Sequence, residues 1–181
     1  KQELNDWHIW GGRGVVLAFA VLAGCSVVLF TWLTEHALAL FFEQRAQWPW
    51  MPLVWTPVSA AAIVALTRRY APGASGSGIP QVMAALSPST PLPLRGLFVS
   101  VRLSFAKVVL ASWGLLAGLS LGREGPSVQV AAGVMYHARR WMPARARVSD
   151  HGLLTAGGAA GIAAAFNTPL GGVMFAIEEL S

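Results

Sequence analysis

Four groups of residues in this chain have types and spacings that could do chemistry. The first is Ser77, set in Gly76-Ser77-Gly78-Ile79-Pro80. Pro80 suits the first turn of a new helix, where its missing N–H costs nothing. There the Ser77 hydroxyl either caps the helix or donates a hydrogen bond to a dehydrated anion. The second is Glu124, in Gly122-Arg123-Glu124-Gly125-Pro126. A carboxylate at a helix N-terminus is stabilised by the same N–H groups that would hold an anion. Glu124 is therefore either a plain first-turn glutamate or a competitor that takes the anion's place when charged and leaves when protonated. The third group is Glu178-Glu179, at the end of the last apolar stretch. Carboxylates at a helix C-terminus oppose its dipole. They mark either a water-facing surface or a proton entry point. The fourth is Lys107, deep in an apolar segment, where an ammonium is costly unless partnered; a buried partner is expected.

Other residues admit less chemistry. Asn167, in Asn167-Thr168-Pro169, reads as the N-cap of the last helix. Gly73-Ala74-Ser75-Gly76 fits a serine-nucleophile pattern, and His151 could be named its base. That intramembrane-protease reading leaves GREGP and the glutamate pair unexplained and puts the base in a basic loop, so a transporter rather than an enzyme is expected. The single cysteine, Cys25, reads as a small apolar packing residue. No disulfide within the chain and no Cys/His metal spacing is available, so neither a metal nor a cofactor is expected.

The elements that must position these groups are membrane helices. Of 181 residues, 55% are hydrophobic and 12% charged, against roughly 25% charged in ordinary globular chains. Eight tryptophans suit lipid interfaces. The net charge of +5 could suggest nucleic acid. The basic residues instead fall in short clusters between apolar runs, at Arg68-Arg69, Arg139-Arg140, Arg145 and Arg147. That is the positive-inside pattern of cytoplasmic loops, and no nucleic-acid partner is expected. A polar lead with Trp7 and Trp10 precedes a first span over Val15 to about Leu40. Glu43–Pro52 reads as a polar turn, and Leu53–Leu66 as a second span closed by Arg68-Arg69. A break at Ala71–Gly78 precedes the short segment Ile79–Leu86. The turn-rich Ser87–Pro93 leads into a third long segment, Leu94–Leu121. A break at Gly122–Pro126 precedes Ser127 to about Tyr136, and a basic loop, His137–Asp150, leads to Gly152–Phe166. The small residues of Ala156–Ala165 permit close helix packing. Leu170–Leu180 is the last short helix.

Long spans thus alternate with half-length segments that start at Gly, Pro or Asn breaks. Backbone freed at membrane depth is tolerated only where it faces a cavity or buried ligand. Helix N-termini aimed at the midplane would hold an anion without a full cation. The fold class expected is an all-α integral membrane protein with broken and half-length helices. No repeat is visible within these residues. Lys1 in place of Met, and Ser181 directly after an apolar helix pattern, read as cut ends of a longer chain.

The three breaks, in this order, resemble the CLC family of chloride channels and chloride/proton antiporters. The residues that carry the resemblance are GSGIP at 76–80, GREGPSVQ at 122–129 and GGAAGIAAAFNTPLGGVMFAIEEL at 157–180. The resemblance implies the family's fold of two inverted halves, with residues 1–181 as the N-terminal half of the membrane domain, in a homodimer whose subunits each carry an anion pathway. It implies Ser77, with Gly78, Ile79 and Pro80, at the central chloride site, and Glu124 as the gating glutamate. Gly122, Arg123, Gly125 and Pro126 would build the helix N-terminus that also holds the anion. Glu179 would be the internal proton glutamate, Glu178 its neighbour, and Lys107 a buried basic position. Glu124 together with Glu179 resembles antiporters, and Ser77 in place of proline resembles chloride-preferring members. The function implied is proton-coupled chloride exchange, with a passive CLC channel as the alternative. Its partners would be chloride, protons and lipid, in a bacterial inner membrane. Gln81 departs from the pattern, since many members carry Glu there. The family's second-half anion loop and pore tyrosine are absent from these 181 residues.

Overall fold

The computed structural model of the chain describes residues 7–142 and 148–180. Arg145, Arg147 and residues 1–6 of the polar lead lie outside them, and the rest of that lead, from Trp7, is the start of α1. Eight α-helices form, with no strand among the described residues: α1 (Trp7–Gln47), α2 (Met51–Tyr70), α3 (Ile79–Leu86), α4 (Leu92–Arg95), α5 (Val101–Leu116), α6 (Glu124–His137), α7 (Asp150–Phe166) and α8 (Pro169–Glu179).

The first span is longer than its apolar core. With 41 residues and a rise of about 1.5 Å per residue, α1 is roughly twice the ~30 Å hydrocarbon thickness. The polar segment Glu43–Gln47, expected as a turn, continues the helix, and the turn itself shrinks to Trp48–Trp50. Both α1 and α2 are long and apolar enough to cross a membrane and bury little of their surface within the chain. Leu17, Val21, Leu22, Val28, Leu29 and Trp32 all point outward. In water such a surface would be an aggregation liability; in lipid it is the solvated face. Cys25 stands on this outward face, so it does not pack inside as its small apolar character suggested.

The inner core is built from α6 and α7, crossing where side chains are smallest. A Cβ on Gly157 would lie 2.6 Å from Ala132 Cα, and one on Gly161 2.9 Å from Val128 Cα. The Gly/Ala run of α7 is therefore the surface on which α6 lies. Around this pair, Ala23, Val27, Ala131, Met135 and Leu153 form one buried cluster, and Val82, Val99, Val128, Leu154 and Leu180 another.

The third long segment is broken. Ser100 caps α5, accepting a bond from Leu103 N–H at 3.4 Å, and the chain before it makes only the one-turn α4. The helix stops at Leu116 because Gly118 takes φ +78 and the Phe41 ring fills the space a Cβ there would need. The far end of α5 is tied to the start of α2 by Trp55 Nε1–H to Leu116 O (3.2 Å) and Thr56 Oγ1–H to Ala117 O (2.7 Å). Asn167 does not cap α8: at φ +54 it is the left-handed residue that ends α7. Asn is the commonest non-glycine residue in that conformation. Thr168 takes the position before α8.

These contacts fix the direction of each helix. The start of α1 packs on the end of α6 (Phe19 on the His137 ring), and Arg139 pairs with Asp150 at the start of α7. The N-terminus of α5 meets the same end of α6. Arg13, Arg68, Arg69, Arg95, Arg139 and Arg140 therefore gather toward one end of the bundle, and Trp48, Trp50 and Trp55 stand at the other.

Candidate functional site

Two backbone breaks meet where α3 and α6 begin. The loop before α3 turns through Gly76 (φ +77) and Gly78 (φ +119), values open mainly to glycine. This loop lies directly on the first turn of α6. A Cβ on Gly125 would stand 2.5 Å from Ser77 O and 3.1 Å from Ser77 Cβ, and one on Gly78 would strike Gly125 O. Only two glycines allow the N-termini of α3 and α6 to touch backbone to backbone.

Neither of these N-termini has a side-chain cap. The helices α5 and α7 do, through Ser100 and Ser149. At α3, Gly78 O accepts from Val82 N–H, and Ile79 and Gln81 N–H have no intrahelical acceptor. Pro80, without an N–H, sits between them. At α6, Arg123 O accepts from Ser127 N–H at 3.0 Å and from Ser127 Oγ–H at 2.8 Å. Glu124 and Gly125 N–H are left free and Pro126 again has none. Ser77 is exposed and its hydroxyl bonds to no other described residue, so the helix-cap reading of Ser77 does not hold.

A cavity of about 660 Å³ opens beside this junction, reaching from Thr67 and Arg68 of α2 to Leu121 and Gly122. Ser77, Ile79, Gly122, Glu124, Gly125 and Pro126 line it, and Lys107 contributes from α5. Glu124 is the first residue of α6, and its Oε2 curls back to within 2.9 Å of where a Gly122 Cβ would be.

Lys107 is only 5% exposed. Its expected buried partner is backbone rather than a carboxylate: Nζ donates to Ala74 O (2.8 Å) and Gly76 O (2.6 Å). The ammonium thus turns the loop's carbonyls toward itself and puts an unneutralised positive charge on the cavity wall. Sequence reasoning missed a second clamp. Gln129 of α6, 1% exposed, donates from Nε2 to Gly73 O (2.9 Å) and Phe98 O (2.8 Å). A glutamine in an otherwise apolar stretch was the available signal. Gln81, the position that departs from the family pattern, folds back to donate to Ser75 O.

Three sequence-derived candidates lie elsewhere. The Arg123 side chain turns away from the cavity and pairs with Glu35 of α1 at 3.0 Å, so only its backbone belongs to the junction. Glu178 and Glu179 are exposed at the end of α8, beside Thr155, whose Oγ1–H donates to Leu180 O at 3.4 Å. They are outside the cavity wall, toward the basic end. The third break, at Asn167-Thr168-Pro169, packs α8 against α7 and does not reach the cavity. The serine-nucleophile reading also fails on geometry. Ser75 Oγ–H donates to Pro72 O (2.8 Å), whereas the His151 ring faces Thr155 on α7.

Fold and site together define an α-helical membrane protein with a cavity beside two uncapped helix N-termini in contact. The family model described as "Voltage gated chloride channel" matches residues 59–181, and the chain belongs to that family, the CLC family. It is 34% identical over 176 residues to the H(+)/Cl(-) exchange transporter ClcA of Vibrio cholerae, covering 91% of this chain and 36% of the relative. Against the ClcA of Cronobacter sakazakii it is 38% identical over 176 residues, 88% of this chain and 34% of the relative. An uncharacterized chloride channel protein of Schizosaccharomyces pombe is 38% identical over 134 residues, 71% of this chain and 19% of the relative. The chain spans about a third of the length of the ClcA relatives it matches. No solved structure matches it at a significant level.

Proposed function

We propose that this chain is the N-terminal half of a CLC-type membrane domain whose complete protein exchanges chloride for protons. The observation that carries the proposal is the pairing of two uncapped helix N-termini around one cavity. Donors left free at a helix end stabilise negative charge, and here two sets converge with Lys107 on the same wall. A chloride at this junction would accept from Ser77 Oγ–H and from the free N–H groups of Ile79, Glu124 and Gly125, with Gly78, Pro80, Gly122 and Pro126 shaping the approach. Glu124 carries its own anion on a one-residue tether to the same donors. When ionised it competes for them; when protonated it releases them. Anion entry and proton uptake at Glu124 are thereby linked.

Glu179, with Glu178, is proposed to pass protons at the basic end, which the positive-inside rule makes cytoplasmic. The place of the glutamates outside the cavity wall fits a proton route separate from the anion route. That the ClcA relatives are named exchange transporters supports the same reading. The protein is proposed to act as a homodimer in a bacterial inner membrane, without a cofactor or enzymatic step.

The test uses the full-length protein in liposomes with a chloride gradient and no pH gradient. A pH dye reports proton movement, with and without Glu179→Ala. Uphill proton movement that the substitution abolishes is expected. Chloride flux with no proton movement in the unsubstituted protein would leave a passive channel.

A further inference from the structure

A second, smaller cavity opens at the basic end of the bundle, apart from the chloride site. About 140 Å³ lies between the α4–α5 connection and the end of α6, walled by Gly96, Ser100, Gly133, Tyr136, Arg139 and Arg140. At about 30 Å³ per water molecule, that is room for a tetrahedral oxyanion and little more.

Its charges are not balanced among the described residues. Arg139 is already engaged: Nη1 bonds Tyr136 Oη, reaches Asp150 Oδ2 at 3.3 Å, and its guanidinium lies 4.7 Å from the Tyr136 ring centre. Asp150, the one carboxylate acting on the Tyr136 hydroxyl, is thereby used. Arg140 is exposed and has no partner among the described residues. Arg95 acts electrostatically on the same hydroxyl, and its buried Nε has no acceptor. Ser100 and Val101, at the start of the 16-residue α5, complete the rim and add that helix's positive end.

An apolar track leads away from the mouth. Val101, Phe105 and Val109 are 44%, 71% and 44% exposed and recur at intervals of four, one stripe along α5; Leu97, 62% exposed, precedes that helix. A phosphate pocket that runs into an exposed apolar stripe at the membrane surface has the chemistry of a lipid site.

We propose that this cavity binds the phosphate of an anionic phospholipid of the cytoplasmic leaflet, with an acyl chain on the Val101–Val109 stripe of α5. The proposal goes beyond chloride exchange; it rests on the basic end facing the cytoplasm and on the α5 stripe facing lipid in the full-length protein.

The experiment is native mass spectrometry of the full-length protein in detergent, titrated with phosphatidylglycerol or phosphatidylethanolamine of the same chains. Phosphatidylglycerol should bind in preference. Arg95→Gln/Arg140→Gln should weaken its binding roughly 30-fold, from the usual contribution of one basic residue near an anionic lipid counted twice, and leave phosphatidylethanolamine binding unchanged. Arg95→Lys/Arg140→Lys should keep most of the affinity, which separates lost charge from lost fold. Full phosphatidylglycerol binding by the Gln pair would overturn the proposal. So would a phosphate adduct that forms from inorganic phosphate alone and displaces the lipid, which would mark a free-phosphate site. No preference for phosphatidylglycerol by the unsubstituted protein would overturn it without any variant.

Discussion

Gly125→Ala tests the contact between the two helix N-termini most directly. The added methyl would stand 2.5 Å from Ser77 O, 2.9 Å from Ser77 C and 3.1 Å from Ser77 Cβ. Two of these three are backbone atoms, which cannot rotate aside as a flexible side chain would. The loop and the helix must separate by at least about half an ångström in a close-packed interior. Overpacking of this kind costs about 1–3 kcal/mol. If separation relieves the strain, the cost falls on the converging donors, and chloride affinity should drop about 5- to 150-fold. Calorimetric titration of chloride into the full-length protein measures that loss, and a thermal-inactivation series measures any part taken up by the fold. Gly24→Ala is the control: nothing lies within 4 Å of its Cβ, so affinity should be unchanged and stability should rise by up to about 1 kcal/mol from helix propensity. A Gly125→Ala protein with chloride affinity within twofold of the original, and unaltered thermal stability, would refute the contact argument.

Glu124→Gln removes the charge proposed to compete for the α6 donors, so chloride flux in liposomes should become insensitive to pH and proton movement should stop. Lys107→Met leaves Ala74 O and Gly76 O without their donor. At about 1–3 kcal/mol for the unpaired buried acceptor at Ala74, and less for the exposed Gly76, it should lower the thermal midpoint of the detergent-solubilised protein, with Lys107→Arg recovering part of the loss. The Arg123–Glu35 pair is solvent-exposed at both ends, 40% and 60%. A double-mutant cycle on stability should assign it less than about 1 kcal/mol.

The amino-acid sequence by itself determined the class of molecule. Long apolar runs with few charges can be satisfied only in lipid, and half-length segments opened by Gly and Pro make sense only around a cavity. It also singled out Ser77, Glu124 and Lys107, since a polar group at a helix break, or an ammonium in an apolar run, is expensive without a purpose. Element boundaries were less legible. Gln47 continues α1 because polar residues with good helix propensity do not end a helix. Leu94–Leu121 breaks because the position of Gly118 under Phe41 is a packing event between distant residues. Asn167 looked like a start signal and proved a stop signal, because Asn serves both N-caps and left-handed C-caps and only the direction of the neighbouring helices decides.

Tertiary structure alone decided which candidates share a site. Contact between Gly78 and Gly125 depends on how α3 and α6 dock, 47 residues apart, and no local propensity encodes it. The same docking recruits Gln129 and Lys107 to hold the loops and brings Glu124 to the cavity. It sends the Arg123 side chain to Glu35 and leaves Glu178 and Glu179 at the far end of α8. Residue type sets what a side chain could do, whereas the relative placement of helices sets which other group is within reach when it does so.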